Sequence, residues 1–412
     1  MQTEMTSDSE TGRAPGGRAR LLAHAEAVFG AAGPAARVED VAASAGVSKS
    51  LVFRYWPTKE ALLDEVTLRL DERYRGWIEH ACWSDPGQPV PAVATAVVGF
   101  FDQPVHALFD PLVYRPALNG GAPELAALDD ALTVAVTGVA SPGQVPAVRA
   151  LVDGAVLATL RGWVGVPSLA ELELSTDQLR DAVVAVVEGG LAGLTPVPPT
   201  KRRPRRPVPE PLSSTVAAKS DLEGRLLDAA LDVFGRVGYD LARLEDIAAE
   251  AGTTASAVFT YWSGKEELFQ RVRIAAVTQI AIRLLGAMAR EESNLDRMRA
   301  AIRANLQIHY ERPEFQAVLL PVASLPRQTE LESVGWQRTL EQLDLFPELA
   351  AAGDLLPVAT AIGIAVLRAA TLTMHRQQVH PALAMAVAEG YLVGGLDRLA
   401  ALAGVDLQAR DR

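Results

Sequence analysis

The sequence predicts an all-α protein built from two similar helical modules fused head to tail. Three observations point there. DVAASAGVSKSLVFRYWPTKEALL, Asp40 to Leu63, returns as DIAAEAGTTASAVFTYWSGKEELF, Asp246 to Phe269. Two copies, each heading a half-chain of domain size, mean two whole modules and not a stack of short repeats. Apolar residues recur at spacings of three and four along both halves, with few strand signals between them. A proline-rich stretch, Thr195 to Ser220, separates the halves.

Residues 1–16 are polar and glycine-bearing and are expected to be disordered. A helix follows from Arg18, with Leu22, Ala25, Val28 and Phe29 on one face; Leu227, Ala230, Val233 and Phe234 repeat it. Val38, Val41 and Ala42 face inward on a short second helix, as do Leu244, Ile247 and Ala248. Gly46 and Gly252 then sit where a tight turn needs positive φ. Ser48 and Thr254 are placed to cap a third helix. Val52 and Trp56, and likewise Val258 and Trp262, are four apart and point to the core. Thr58 caps a fourth helix from Lys59, and Gly264 stands in the same place before Lys265.

The remainder of each half, residues 67–194 and 273–408, reads as a bundle of longer helices rich in Ala, Leu and Val. Pro104 and Pro313 mark equivalent helix starts. Each half closes on an apolar helix, Asp177 to Leu194 and Ala382 to Leu402, within which VVEGGLAGL resembles VAEGYLVGGL. The heads span 17–66 and 221–272, and the linker spans 195–220. Its prolines favour an extended polyproline path, which at ~3.1 Å per residue could reach roughly 80 Å.

Composition narrows the class. The 412 residues are 49% apolar, ample for two cores. The apolar runs near Ala92–Phe101 and Leu355–Leu367 fall short of the ~20 residues a membrane span needs. The N-terminus lacks the apolar core of a signal peptide. Cys82 is the single cysteine, so no intrachain disulfide can form and a reducing cytoplasm is the expected home. A net charge of -11 argues against general nucleic-acid affinity but leaves room for a local DNA-facing surface.

Two short helices joined by a glycine turn, the second opening on small polar residues, form the pattern of a helix-turn-helix. The full combination is more specific. A helix ends in Val-Phe, then come D-V/I-A-x-x-A-G, V-F-x-Y-W and K-E-x-L, twice. It resembles the N-terminal domain of the TetR/AcrR family of bacterial transcriptional regulators, over about 50 residues in each copy. The resemblance implies a three-helix DNA-binding head, a connecting fourth helix, and a larger helical domain that binds a small effector and dimerises through its last two helices. Members ordinarily carry one copy per chain; this chain carries two.

By the same resemblance, Ser48, Lys49, Ser50 and Leu51 open the first recognition helix against bases and phosphates. Arg54 and Tyr55 lie where the family touches the backbone, and Lys59 where a lysine meets phosphate. Phe53 stands in the place of a phosphate-bonding tyrosine and lacks its hydroxyl. The second-head counterparts are Thr254, Ala255, Ser256, Ala257, Thr260, Tyr261 and Lys265. The heads differ in charge. Gly46–Lys59 holds Lys49, Arg54 and Lys59 and no acid, whereas Gly252–Lys265 holds Lys265 as its one basic residue. Across Gly17–Val66 six basic residues balance six acidic ones, while Leu222–Val272 has five against nine. Phosphate neutralisation supplies most non-specific affinity, so the first head should grip DNA better. Either both heads contact DNA or the first alone does.

Other chemistry finds little support. SGKE at 263–266 lacks the glycine and hydroxyl of a phosphate loop. No catalytic signature occurs, the six histidines show no paired-ligand spacing, and neither an enzyme activity, a metal nor a cofactor is expected. KRRPRR, 201–206, is either a basic strap along DNA or a solvated, charge-extended linker. Arg13, Arg18 and Arg20 could serve as a minor-groove arm, diluted by Glu4, Asp8 and Glu10. Aromatic and sulfur-bearing residues of the bundles are mostly core; Phe101, Tyr114, Trp163, Tyr310, Phe315 and Met374 are candidates for an effector pocket. Trp77, Trp83, Phe100, Phe109, His309, Trp336 and Phe346 belong to the same wider set.

The expectation is a cytoplasmic regulator, a repressor released by an unknown small molecule. Its partners are double-stranded operator DNA and that effector, with no membrane. The single chain is expected to act as an intramolecular pseudo-dimer. The rivals are an enzyme or carrier that keeps the folds for packing, and an interaction protein whose acidic second head docks a protein.

Overall fold

A computed structural model describes residues 16–32, 36–84, 87–101, 122–163, 174–200, 202–207, 210–214, 220–319, 355–402 and 404, and every regular element among them is helical. The N-terminal arm before Gly16, Pro104, Phe109, Tyr114, Trp336 and Phe346 lie outside the described residues, as does the side chain of Trp83.

The first head comprises α1 (Gly16–Ala32), α2 (Val38–Ala45) and α3 (Lys49–Tyr55). Its core is small and self-contained, with Phe29, Val41, Val52 and Trp56 at its centre. Helix α4 (Lys59–Ser84) leaves the head and enters the bundle without a break. Its buried stripe Leu62, Val66, Leu70, Tyr74 and Ile78 steps by four residues, the repeat that keeps side chains on one helical face. The upper three belong to the head core and the lower two to the bundle core, so α4 is a rod planted in both. The rest of this half is α5 (Pro89–Phe101), α6 (Pro123–Ala127), α7 (Asp129–Val139), α8 (Val145–Gly162) and α9 (Thr176–Ala192).

The second half repeats the order with α10 (Asp221–Leu241), α11 (Leu244–Glu250), α12 (Ala255–Val258), α13 (Lys265–Met288), α14 (Asn294–Glu311), α15 (Glu314–Leu319), α16 (Leu355–Arg376) and α17 (Pro381–Leu402). Gly238, at φ 78°, breaks α10 near its end. Pro313 precedes α15, the helix start its position suggested. Unlike its counterpart, the second head has no separate core. Its apolar interior runs on through Leu284, Met288, Phe315 and Val318 of the bundle. Gly235 makes this contact possible: a Cβ there would lie 2.4 Å from the Cβ of Glu314, so only glycine lets α15 press against α10.

Both bundles meet in one shared core in which α8 packs on α16 and α9 on α17. The closing helices approach through glycine. A Cβ on Gly189 would stand 2.4 Å from the carbonyl oxygen of Gly394, and one on Gly193 2.4 Å from that of Gly390. In VVEGGLAGL and VAEGYLVGGL these glycines correspond, so the two contacts are exchanged by a pseudo-twofold. Gly190 and Tyr391 also correspond, and they face each other: the ring fills the space beside Gly190. The fully buried Tyr391 hydroxyl shares a 2.9 Å hydrogen bond with Thr159 of α8, and Arg398 pairs with Glu188 at 2.8 Å. A pair of like modules would present two tyrosines or two glycines at this place.

Two expectations change. Within α16, the 20 residues Pro357–Arg376 are long and apolar enough to cross a membrane, beyond the shorter run read from the sequence. This helix packs along α8, with Ala365 and Ala369 close against Gly162 and Gly154. The described parts of the linker hold no regular element besides a 3-10 turn at Leu212–Ser214, and although Arg202, Arg205 and Arg206 are exposed, it is tied to the bundles at several points. Val197 N donates to Val139 O at 3.0 Å and Gln144 Nε2 to Pro198 O at 2.8 Å. Further on, Arg203 and Arg206 lie over the Tyr310 ring, and His380 Nε2 bonds the Arg202 carbonyl at 3.0 Å. Leu212 is fully buried, and the Asp228 carboxylate accepts from the Leu212 and Ser213 amides.

Candidate nucleic-acid interface and ligand cavity

The first head presents its recognition helix in the expected way. Gly46 adopts φ 67°, and the amide of Val47 returns to Ala42 O at 2.9 Å, closing α2. The Ser48 hydroxyl accepts from the Leu51 amide at 3.3 Å and caps α3. Val52 and Trp56, 1% and 3% exposed, hold the inner face of that helix. Ser48, Lys49, Ser50 and Arg54 consequently face solvent, with Leu51, Tyr55 and Lys59 half-buried beside them.

Lys49 pairs with Glu39 of α2 and lies 5.4 Å over the Phe53 ring. That hydrogen bond holds the Glu39 carboxyl below its ordinary range. Both partners are about half exposed, and such surface pairs are weak enough to exchange for a phosphate or base. Phe53, without the hydroxyl, serves as the platform beneath the ammonium. Arg54 and Lys59 make no hydrogen bond or ion pair among the described residues. Glu65, not singled out from sequence, locks the head: one carboxylate oxygen takes the Trp56 indole N–H and the Arg18 guanidinium, each at 2.5 Å. Arg18 is thereby folded over Trp56, 5.4 Å from its ring, instead of extending as part of an arm.

The second head shares the path and differs in chemistry. Gly252 turns at φ 70°, and Val258 and Trp262 are buried as expected. Thr254 occupies the cap position, yet its hydroxyl bonds Ser256 Oγ at 2.9 Å and caps nothing. The recognition helix shrinks to one turn, so Thr260 and Tyr261 follow it in turns. Ser256 and Thr260 are exposed, Ala255 is half-buried, and the Tyr261 hydroxyl is bonded to Ser220 at 2.7 Å. Lys265 is spent internally. Its ammonium donates to the carbonyls of Tyr239 at 3.0 Å and Ala242 at 3.1 Å and sits 4.5 Å over the Tyr239 ring. The one basic side chain of this stretch thus closes the end of α10, while Phe259 stands 58% exposed.

A cavity of about 170 Å³ opens in the second bundle. Helices α13, α14, α15, α16 and α17 all contribute, through residues such as Leu284, Ile302, Leu319, Ile364 and Leu396. Sequence reading placed pocket candidates elsewhere. Phe101, Trp163, Tyr310, Phe315 and Met374 are each at most 4% exposed core residues and none lines this cavity. Phe101 packs with Tyr74, Phe100 and Trp163 in an aromatic cluster, and Tyr310 anchors the linker by donating to Pro204 O. Of the wider aromatic set, His309 does line it.

The first bundle carries a different polar feature. Glu124, fully buried, accepts from Arg161 at 2.6 Å and from the Tyr74 hydroxyl. Burial and the Glu124 charge push the Tyr74 phenol well above its ordinary range. Among the described residues no cluster of His, Cys, Asp or Glu could hold a metal ion.

Comparison with known proteins agrees with this geometry. The family model described as bacterial regulatory proteins, tetR family, matches residues 21–66 and again 226–272. Two HTH-type transcriptional regulators of Pseudomonas putida, SrpR and TtgW, are each 41% identical over 58 residues, 14% of this chain. YfiR of Bacillus subtilis, an HTH-type regulator, is 35% identical over 54 residues. These matches span 27%, 43% and 26% of the respective relatives. Among solved structures, the fatty acid degradation regulator FadR from Bacillus halodurans aligns over 43% of this chain and 98% of its own, at 15% identity and a TM-score of 0.38.

Proposed function

We propose that the chain, which carries two tetR-family N-terminal domains in tandem, is a one-component repressor of that family acting as a single-chain pseudo-dimer on operator DNA. The observation that carries the reading is the outer face of α3. Ser48, Lys49, Ser50 and Arg54 stand free of the head core on a helix of the kind that enters a major groove, with Lys59 beside it. Lys49 can donate to guanine O6 or N7, and Arg54, Tyr55 and Lys59 to phosphate. The second head, through Thr254, Ala255, Ser256, Thr260 and Tyr261, offers hydroxyl and apolar contacts, and its Lys265 adds no phosphate contact while it holds α10.

The cavity is the proposed effector site. Leu284 lies on α13, which carries the second head, and Gln316 and Leu319 lie on α15, which presses on α10 at Gly235. A ligand that favours one setting of these two elements shifts the spacing of the heads and releases DNA. The chemistry takes place in the cytoplasm, where the operator is. A gel-shift of the full chain on DNA flanking its own gene, repeated across salt, tests the reading. Binding whose logarithm falls linearly with log salt supports it; failure to retard any such fragment removes it.

A second arrangement has its own support. The one-turn α12, the internal use of Lys265 and the exposed Phe259 favour a second head that steadies the chain or meets a protein while the first alone reads DNA.

A further inference from the structure

The chemistry of the cavity identifies its ligand more closely. Asn305 and His309 lie four residues apart on α14, on one face of the helix, and both line the cavity. They are 7% and 8% exposed. His309 Nδ1 is buried with no hydrogen-bond partner, and the Asn305 amide makes no hydrogen bond among the described residues. A buried polar atom left unpaired is costly, so His309 Nδ1, with the Asn305 amide one turn away on the same wall, marks a place where a ligand completes the bonding. Most of the remaining lining is aliphatic. Thr371 is satisfied by Leu367 O, and Arg368, the one cation among the lining residues described, donates to Leu319 O at 2.8 Å.

Resting on the reading of this cavity as the effector site, we propose that it takes an uncharged, largely apolar molecule about the size of one substituted aromatic ring, whose hydroxyl or carbonyl end pairs with His309 and Asn305. Size follows from volume: an apolar cavity of ~150 Å³ takes up benzene, and this one measures about 170 Å³. Neutrality follows from the polar pair. Burial, with His375 and Arg368 nearby, drives the His309 pKa down to about 3, so the ring offers a hydrogen bond and no positive charge. A carboxylate entering at the His309 end would lose its water and meet no charge on that ring, and the Arg368 guanidinium elsewhere in the lining already donates to Leu319 O.

The test uses the full chain, titrated calorimetrically with 4-ethylphenol, ethylbenzene and 4-ethylbenzoate. The expected result is saturable binding with the phenol about fivefold tighter than the hydrocarbon, the worth of one net hydrogen bond, and the benzoate weakest. Asn305→Leu with His309→Leu abolishes the preference for the phenol and keeps ethylbenzene binding. Gly363→Leu is the second variant: Gly363 lines the cavity and a Cβ there meets nothing within 4 Å, so the new side chain fills the space. It should block all three probes with the thermal midpoint unchanged or raised. Tightest binding by the benzoate, equal binding of phenol and hydrocarbon, no saturable binding, or binding indifferent to Gly363→Leu each overturns the proposal. Gel-shifts on the same preparations separate the two readings. Intact DNA binding with a failed probe panel sinks the ligand assignment alone. Phenol preference without DNA binding supports the assignment and sinks the regulator.

Discussion

The two heads share a sequence pattern and differ in how they are held. The first keeps its own core among the described residues and is joined to the bundle by the rod α4. The second is continuous with its bundle, braced by α15 against Gly235, by the linker turn on Asp228, and by Lys265 across the end of α10. Their surfaces diverge in the same sense. Basic residues of the first head stay available at the recognition face, whereas the second head's lysine has become part of its scaffold. A duplicated module can therefore retain its fold while the equivalent lysine lacks an internal partner among the described residues in one copy and closes a helix end in the other.

The largest effect should come from attacking the brace. Gly235→Leu drives a side chain into Glu314, and overpacking of this kind costs up to about 3 kcal/mol. Amide exchange should show the second head losing protection while the first keeps its own. Equal loss in both heads would mean that their cores are not separate.

Next comes DNA affinity. Lys49→Ala with Arg54→Ala should weaken operator binding roughly 100-fold, at 1–3 kcal/mol for each such contact, and flatten the salt slope. Ser256→Ala with Thr260→Ala should change it less than about threefold, the scale of exposed hydroxyl contacts. Reversal of that order, measured by gel-shift, would transfer the reading role to the second head.

A pH experiment sharpens the contrast between the bundles. His309 has a folded pKa of about 3, below its ordinary value of 6.5. Its contribution to stability is thus fully present above pH 6.5 and is lost as pH falls toward 3. Denaturant unfolding of the wild type should lose up to about 1.4 kcal/mol more than His309→Leu between pH 6 and 5. Parallel curves for the two proteins would show that His309 is not held neutral.

The smallest effects separate the two equivalent lysines. Lys265→Ala should cost about 1 kcal/mol of stability in hydrogen bonds to the end of α10 and leave DNA affinity alone. Lys59→Ala should do the opposite, because Lys59 has no internal partner among the described residues.

Fold class, tandem repeat, glycine turns and buried Val/Trp pairs were legible because they depend on spacing along one helix. The same holds for the closing helices, although the facing of Gly190 and Tyr391 needed the packed pair. What sequence could not supply were contacts between distant segments. Lys265 read as a phosphate ligand because its carbonyl partners lie more than twenty residues away. The linker read as free because nothing local announces Tyr310 or Asp228 as its anchors. Most aromatic rings at helical spacing read as core, and Phe101, Trp163, Tyr310, Phe315 and Met374 are core. Of the wider set His309 lines the cavity, and the signal left unread is Asn305, a second polar group one turn away on a helix whose neighbours are apolar.

The central claim is that the two heads are unequal within one chain, and base-by-base operator scanning tests it most directly. On the proposed reading, the chain presents Ser48-Lys49-Ser50-Leu51 to one half-site and Thr254-Ala255-Ser256-Ala257 to the other. Lys49 can discriminate guanine, and Ala255 offers at most apolar contact to a thymine methyl. The predicted outcome is two different half-sites, with the larger substitution penalties confined to the one read by the first head. A palindromic operator with equal penalties at symmetry-related positions would contradict the account, since it requires either two heads that read alike or two chains that each present the first.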